Sequence, residues 1–237
     1  MPPFTRLLHA LTALAALTPG LAAHAARPMI TDDARIVDAK SCQIESWVRR
    51  NRGNTEQWAL PGCNFTGNLE LTIGGARTRE NGDTQASDVV IQGKTLFRTL
   101  EPNGWSIGLA AGHVAHPDDP TRGRVGDLYA YVPASFSLRD DRLIVHTNVG
   151  ALRDSVARRN FVTVGLGAEQ QLTDRMWLVA EGFRQTDGAP FFQLGVRFWI
   201  VPNRVQVDTT YGDRFGARGS ERWFSIGLRL LSPAFLP

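Results

Sequence analysis

From Cys42 onward, apolar and polar residues alternate with period two in runs of about ten residues, each closed by a turn signal. In "DLYAYVPASFSL" (127–138), Leu128, Ala130, Val132, Ala134, Phe136 and Leu138 share one face, opposite Tyr129, Tyr131, Ser135 and Ser137. In "FFQLGVRFWIV" (191–201), Phe192, Leu194, Val196, Phe198 and Ile200 oppose Gln193, Gly195 and Arg197. In "RWFSIGLRLL" (222–231), Phe224, Ile226, Leu228 and Leu230 oppose Ser225, Gly227 and Arg229. The same period predicts strands at 42–50, 56–64, 68–78, 88–98 and 105–114, then at 142–152, 161–172, 175–184 and 204–212. No helical period competes over any long window. The expected fold is all-β, an antiparallel transmembrane β-barrel of about twelve strands. Ten or fourteen strands are also compatible, because connections such as "TLEPNG" (99–104) are ambiguous.

Two features favour a barrel over a soluble sandwich, which would also alternate. The polar face is rich in Gly with isolated charges. The connections also alternate in length, with short turns at 139–141, 173–174 and 202–203 against polar loops such as "TRENGDTQAS", "AHPDDPTRGRVG", "RDSVARRN" and "DRFGARGSE". Outer-membrane barrels keep short turns on the periplasmic side with both termini and longer loops outside, and ten tilted residues cross their apolar band.

The first residues fit that destination. Arg6 precedes an apolar run from Leu7 to Leu17, Pro19 and Gly20 break it, and Ala23-His24-Ala25 offers a small-x-small cleavage site. The run is too short and too broken for an uncleaved anchor helix, and no Cys at the junction marks a lipoprotein. The expected organisation is a signal peptide at 1–26, a periplasmic segment at 27–41, the barrel at 42–231 and a C-terminal tail at 232–237. The segment at 27–41 carries Asp32, Asp33 and Asp38; it is expected across the periplasmic mouth, inside the lumen, or as a disordered lead-in.

Charge adds one point. Of 26 basic residues only Lys40 and Lys94 are lysines. Arg49, Arg50, Arg52, Arg77, Arg79, Arg122, Arg124, Arg153, Arg158, Arg159, Arg184, Arg214, Arg218 and Arg222 fall in or beside the expected outer loops. Arg pairs with phosphate in a fork, so lipopolysaccharide is an expected partner; solubility of polar loops explains the same placement.

The polar face places Glu70, Lys94, His146, Asn148, Glu169, Glu181, Arg197, Asp208 and Arg229 as lumen-lining candidates. A narrow barrel fills much of its interior with inward side chains, and buried charges need partners, so an internal ion-pair network is expected. It serves either as a polar constriction that selects solutes or as a structural plug. Outer-membrane lipases use a Ser–His pair on adjacent strands, and His146 follows Ser135 and Ser137, yet its parity points inward, away from acyl chains. His113 and His116 with Asp118 and Asp119 could suggest a metal, but loop carboxylates near a Pro are usually solvated turn residues rather than metal ligands. No catalytic, metal, cofactor or nucleic-acid motif is present, so no enzymatic activity, metal or cofactor is expected.

Cys42 and Cys63 are the only cysteines. In an exported protein they are expected to pair. The loop "NRGN" (51–54) is centred between Arg52 and Gly53, and reflection through that centre carries Cys42 onto 63 and Trp47 onto 58. Both pairs would then face each other across the first hairpin.

The stretch "GLGAEQQLTDRMWLVAEGF" followed by "FQLGVRFWIVPNRVQVDTTYG" resembles the outer-membrane barrel family named for the meta pathway of phenol degradation. The resemblance rests on Leu172-Thr173-Asp174-Arg175, Glu181, Pro202-Asn203 and Gln206-Val207-Asp208, with "TDDARIVD" and "GNLELTIGG" upstream. It covers most of the chain after the leader, and its motifs are turns and lumen positions. It implies passage of small, often hydrophobic molecules. The ending "SPAFLP" departs from the terminal aromatic of such barrels. The expected function is an outer-membrane channel or transporter for small hydrophobic or aromatic molecules, inserted by the barrel assembly machinery; the alternatives are a sealed structural barrel or a lipid-modifying enzyme.

Overall fold

The computed structural model describes residues 29–119 and 125–237; the leader expected at 1–26 lies outside the described residues. Twelve strands form one closed antiparallel barrel: β1 (Cys42–Asn51), β2 (Asn54–Asn64), β3 (Glu70–Glu80), β4 (Asp83–Arg98), β5 (Trp105–Ala115) and β6 (Asp127–Leu138). They are followed by β7 (Leu143–Asp154), β8 (Arg159–Gln171), β9 (Met176–Arg184), β10 (Phe191–Val201), β11 (Val205–Arg214) and β12 (Trp223–Leu231), which pairs with β1 to close the ring. We call the end holding Cys42 and Leu231 the root end, and its opposite the far end.

Period two dictates the two surfaces. Outward residues form an apolar band that includes Ile73, Ile91, Val149, Leu166, Leu194 (52% exposed) and Ile226 (59% exposed). A continuous exposed apolar belt of this kind is solvated favourably only by hydrocarbon. Inward residues are buried and largely polar, with a smaller apolar set that includes Ile144, Trp177 and Trp199, the reverse of a water-soluble protein's arrangement. Leu194→Arg is therefore expected to destabilise the bilayer-inserted barrel by about 2–4 kcal/mol, whereas Gln193→Arg, one residue away, changes the lumen and not the lipid face. Unfolding titrations in lipid vesicles measure both, and tolerance of Leu194→Arg with loss of folding in Gln193→Arg would invert the assignment.

The first hairpin has the reflected register: Cys42 pairs with Cys63 and Trp47 with Trp58. The cysteines are disulfide-bonded, with Cα atoms 4.1 Å apart, and the indoles stack with centroids 5.2 Å apart. Closing a loop of about twenty residues stabilises by about 3 kcal/mol in the chain-entropy account. Cys63→Ser is expected to lose about that much, and alkylation without reduction followed by mass spectrometry should leave both native cysteines unmodified.

One expectation is corrected. "TRENGDTQAS" is not a long loop: β3 and β4 continue to Glu80↔Asp83, joined by a two-residue turn with Asn81 and Gly82 at positive φ. Asn-Gly is the preferred pair for such a turn. Arg52-Gly53 is also a two-residue turn at the far end, so loop lengths sort less cleanly between the ends than the sequence suggests.

Residues 29–41 do not lie across a mouth. They enter the barrel from the root end, where Lys40 N donates to Asn64 O and Asn64 N to Ser41 O. Thr31, Asp33, Ala34 and Val37 along this segment are buried. The tail holds the same place: Phe235 N and Leu236 N donate to Lys40 O, and Ser232 bonds both N and O of Cys42. The departure at "SPAFLP" thus forms a clamp on the root of the inserted segment.

Candidate functional site

The lumen is layered. At the root end Ile144, Trp177 and Trp199 form a small apolar core with Leu100 and Leu231. Inward parity on β7, β9 and β10 brings these together, and they close that side of the barrel.

Above them lies the charged layer. Arg197 Nη1 on β10 is 2.6 Å from Glu169 Oε2 on β8, both fully buried, and His146 Nε2 on β7 is 3.3 Å from Glu169 Oε1. Asp208 stands opposite Arg197 in the β10–β11 register. Arg229 Nε donates to Gln43 Oε1 at 2.8 Å and lies 3.6 Å from Glu45. Gln43 Nε2 in turn donates to Glu70 at 3.2 Å, and Glu70 faces Lys94 in the β3–β4 register. Most of the charged lumen candidates thus gather in two wall groups, one around Arg197 and Glu169 and one running from Arg229 to Glu70 and Lys94, each pairing its charges away from water.

The remaining partners come from the inserted segment. Lys94 Nζ donates to both carboxylate oxygens of Asp32 at 3.0 Å and to Asp33 O at 3.3 Å. Tyr131 OH donates to Asp32 Oδ2 at 2.7 Å. Glu181 accepts the N–H groups of Ile30 (2.8 Å) and Thr31 (2.7 Å), and Gln193 Nε2 donates to the same carboxylate. Asn148 accepts from Asp32 N at 2.7 Å and donates to Asp32 O at 2.8 Å. A residual gap of about 60 Å³ remains beside the segment, between it and Gln43, Glu70, Lys94 and Arg229. That is room for only a few water molecules.

Sequence reasoning named the wall residues and missed their occupant's grip. Glycines on the polar face mark it. A Cβ at Gly165 would come within 2.5 Å of Thr31 Oγ1, and one at Gly167 within 3.0 Å of Met29 Sδ. These two positions on β8 are bare because the segment passes over them.

Ser135 and His146 do meet, with Oγ 2.8 Å from Nδ1. However, the hydroxyl oxygen accepts the N–H of Ala34 at 2.8 Å, and Ser135, His146 and Glu169 are all fully buried. With its oxygen capped by backbone and no space beside it, the serine is held as a structural link, not presented to a substrate. His116 is clasped between Asp88 (2.8 Å) and Asp127 (3.2 Å), tying β4 to β6, and His113 Nε2 contacts Val125 O.

Towards the far end the lumen opens into a cavity of about 500 Å³, floored by Met29, Thr31 and Asp32. Trp47 and Trp58 line one wall; Tyr129 and Tyr131, stacked with centroids 6.1 Å apart, line the nearly opposite one. Arg49, expected in or beside an outer loop, lies near the end of β1 and lines this cavity beside Glu56 at 2.9 Å.

Comparison with protein families decides the relationship, because the model described as "Uncharacterised conserved protein UCP029691" matches residues 13–231. The chain belongs to that family. The UCP029691 match carries no assigned activity, and it does not bear the phenol meta-pathway name that the sequence resemblance suggests. No curated protein matches this UCP029691 chain.

Solved structures share the fold. A KdgM porin in complex with disordered oligogalacturonate aligns with TM-score 0.60 at 9% identity, over 79% of this chain and 98% of that one. Omp33 of Acinetobacter baumannii gives 0.53 at 9% identity, over 80% and 97%. An outer-membrane channel from Pseudomonas putida F1 gives 0.52 at 13% identity, over 91% and 99%. At these identities the likeness carries the architecture of UCP029691 alone, that of outer-membrane porins and channels.

Proposed function

We propose that this protein resides in the outer membrane and passes small, weakly polar solutes, aromatic ones among them, when residues 29–38 withdraw from the lumen. The observation that carries this reading is the far-end cavity of about 500 Å³, within the size range of small-molecule sites and walled by two aromatic pairs. Stacked indoles and phenols favour flat apolar solutes over sugars with many hydroxyls to satisfy. A lumen needed only for stability would have no reason to keep such a space.

In this reading the far end meets the lipopolysaccharide leaflet. Exposed Arg50, Arg79, Arg158 and Arg218 suit its phosphates, and the barrel assembly machinery inserts the chain. The lumen charges around Arg197 and Glu169 act as the polar constriction below the cavity.

A sealed structural barrel is the second reading, favoured by the narrow gap of about 60 Å³ beside the inserted segment. Refolded protein in planar bilayers separates the two, combined with quenching of tryptophan emission by aromatic solutes. Saturable quenching through Trp47 and Trp58, with solute-dependent current, supports passage. No current, no quenching and unchanged uptake of aromatic and fatty compounds in a deletion strain would overturn it.

A further inference from the structure

The inserted segment is held in an unusual way. Six wall side chains grip its main chain, Lys94 among them through Asp33 O. Glu181 on β9 takes the N–H groups of Ile30 and Thr31, and Ser135 on β6 that of Ala34. Glu70 on β3 takes the N–H of Val37 at 2.8 Å, and Asn64 on β2 donates to Val37 O at 2.8 Å. Asn148 on β7 both accepts from and donates to Asp32, the paired exchange that one strand makes with its neighbour in an antiparallel sheet.

Side-chain contacts are made by Asp32 and Asp33, which meet Lys94, and the side chains of Ala34, Arg35 and Val37 are enclosed as well. Elsewhere room is made by absent side chains, as at Gly165. Main-chain partners read any extended peptide alike; they are blind to side-chain identity but require free N–H groups.

We propose that the barrel wall carries a binding site for an extended peptide, read through its backbone and occupied here by residues 30–37. The ligand class follows from the contacts. It is an extended segment with an acidic residue in register with Lys94 and no proline where Ile30, Thr31, Asp32, Ala34 and Val37 donate. The segment in the lumen is then an internal ligand of this site, and a peptide of the same class supplied in trans takes its place once the segment is gone. The proposal rests on residues 29–38 being the removable obstruction, and it is tested without reading current.

A variant lacking residues 29–38 is refolded and titrated with a fluorescent synthetic peptide of residues 29–40, following anisotropy. A second peptide carries N-methyl groups on the amides corresponding to Thr31, Asp32 and Ala34; a third has Ala in place of Ile30 and Ile36. The parent and the Ala peptide are expected to bind within about threefold of each other, and the N-methylated peptide at least tenfold more weakly. Equal binding of the N-methylated peptide, or no binding of the parent to a folded barrel, overturns the site. Binding without current would spare the site and sink the channel; current without binding would do the reverse. Should the deletion variant not fold, hydrogen exchange in the full chain gives the answer. Amides 30–32 should exchange at least tenfold faster in the Glu181→Ala/Asn148→Ala variant than in the native protein, with Val37 unchanged. Unchanged exchange at 30–32 would overturn the site.

Discussion

Deleting residues 29–38 should turn a barrel with little or no current into one that conducts at least ten times more. With the segment seated, the gap beside it is about 60 Å³, room for a few water molecules. Removing it exposes Glu70, Asn148, Glu181 and Lys94 to water that enters from the cavity above. These groups lose backbone partners and regain hydration, so the wall survives with a modest loss of stability. Gly165→Leu should act in the same direction with smaller effect, because its first side-chain carbon would already fall within 2.5 Å of Thr31 Oγ1. Single-channel recording measures both. A folded deletion variant that remains silent would place the obstruction in the wall, and the sealed barrel would stand.

The second large effect is expected at Arg197. It and Glu169 are fully buried and 2.6 Å apart. Arg197→Met leaves a buried anion on β8 without its closest cation, with His146 and the more remote Arg35 remaining, and breaking a buried pair from one side costs about 3–5 kcal/mol. The double variant Arg197→Met/Glu169→Gln removes both charges and should recover most of that loss. Denaturant midpoints in vesicles, converted through a common m-value, measure the series. A neutral single variant would mean that the pair is hydrated, and that water reaches deeper than the geometry allows.

How much of this was legible beforehand differs by element. The strands were, because outward Leu194 and inward Arg197 answer to opposite solvents, and that contrast writes a period of two. The first hairpin was legible to the residue, since one short turn fixes every pair behind it. The β3–β4 extension was not. Beyond the apolar band both faces of Thr84 and Gln85 meet water, alternation disappears, and a ribbon reads as a loop. The wall charges were legible by parity, whereas their partners were not. Lys94 and Asp32 are 62 positions apart, and nothing local joins them. The grip on residues 30–37 left no periodic trace either, because backbone contacts constrain side chains weakly; its imprint is in the glycines of β8.

The clamp on Lys40 has a consequence for timing and dose. The stretch from Met29 to Lys40, rooted at the barrel's mouth, reaches no further than roughly 40 Å, so it never leaves the neighbourhood of its seat. Tethers of that length correspond to effective concentrations in the millimolar range. In the gating proposed above, closure is unimolecular: it neither weakens on dilution nor depends on how many barrels a membrane holds. A competitor from solution must overcome that local concentration before it is bound at all. Loosening Cys42, Asn64 or the tail at Phe235 would not remove the inhibitor but would dilute it.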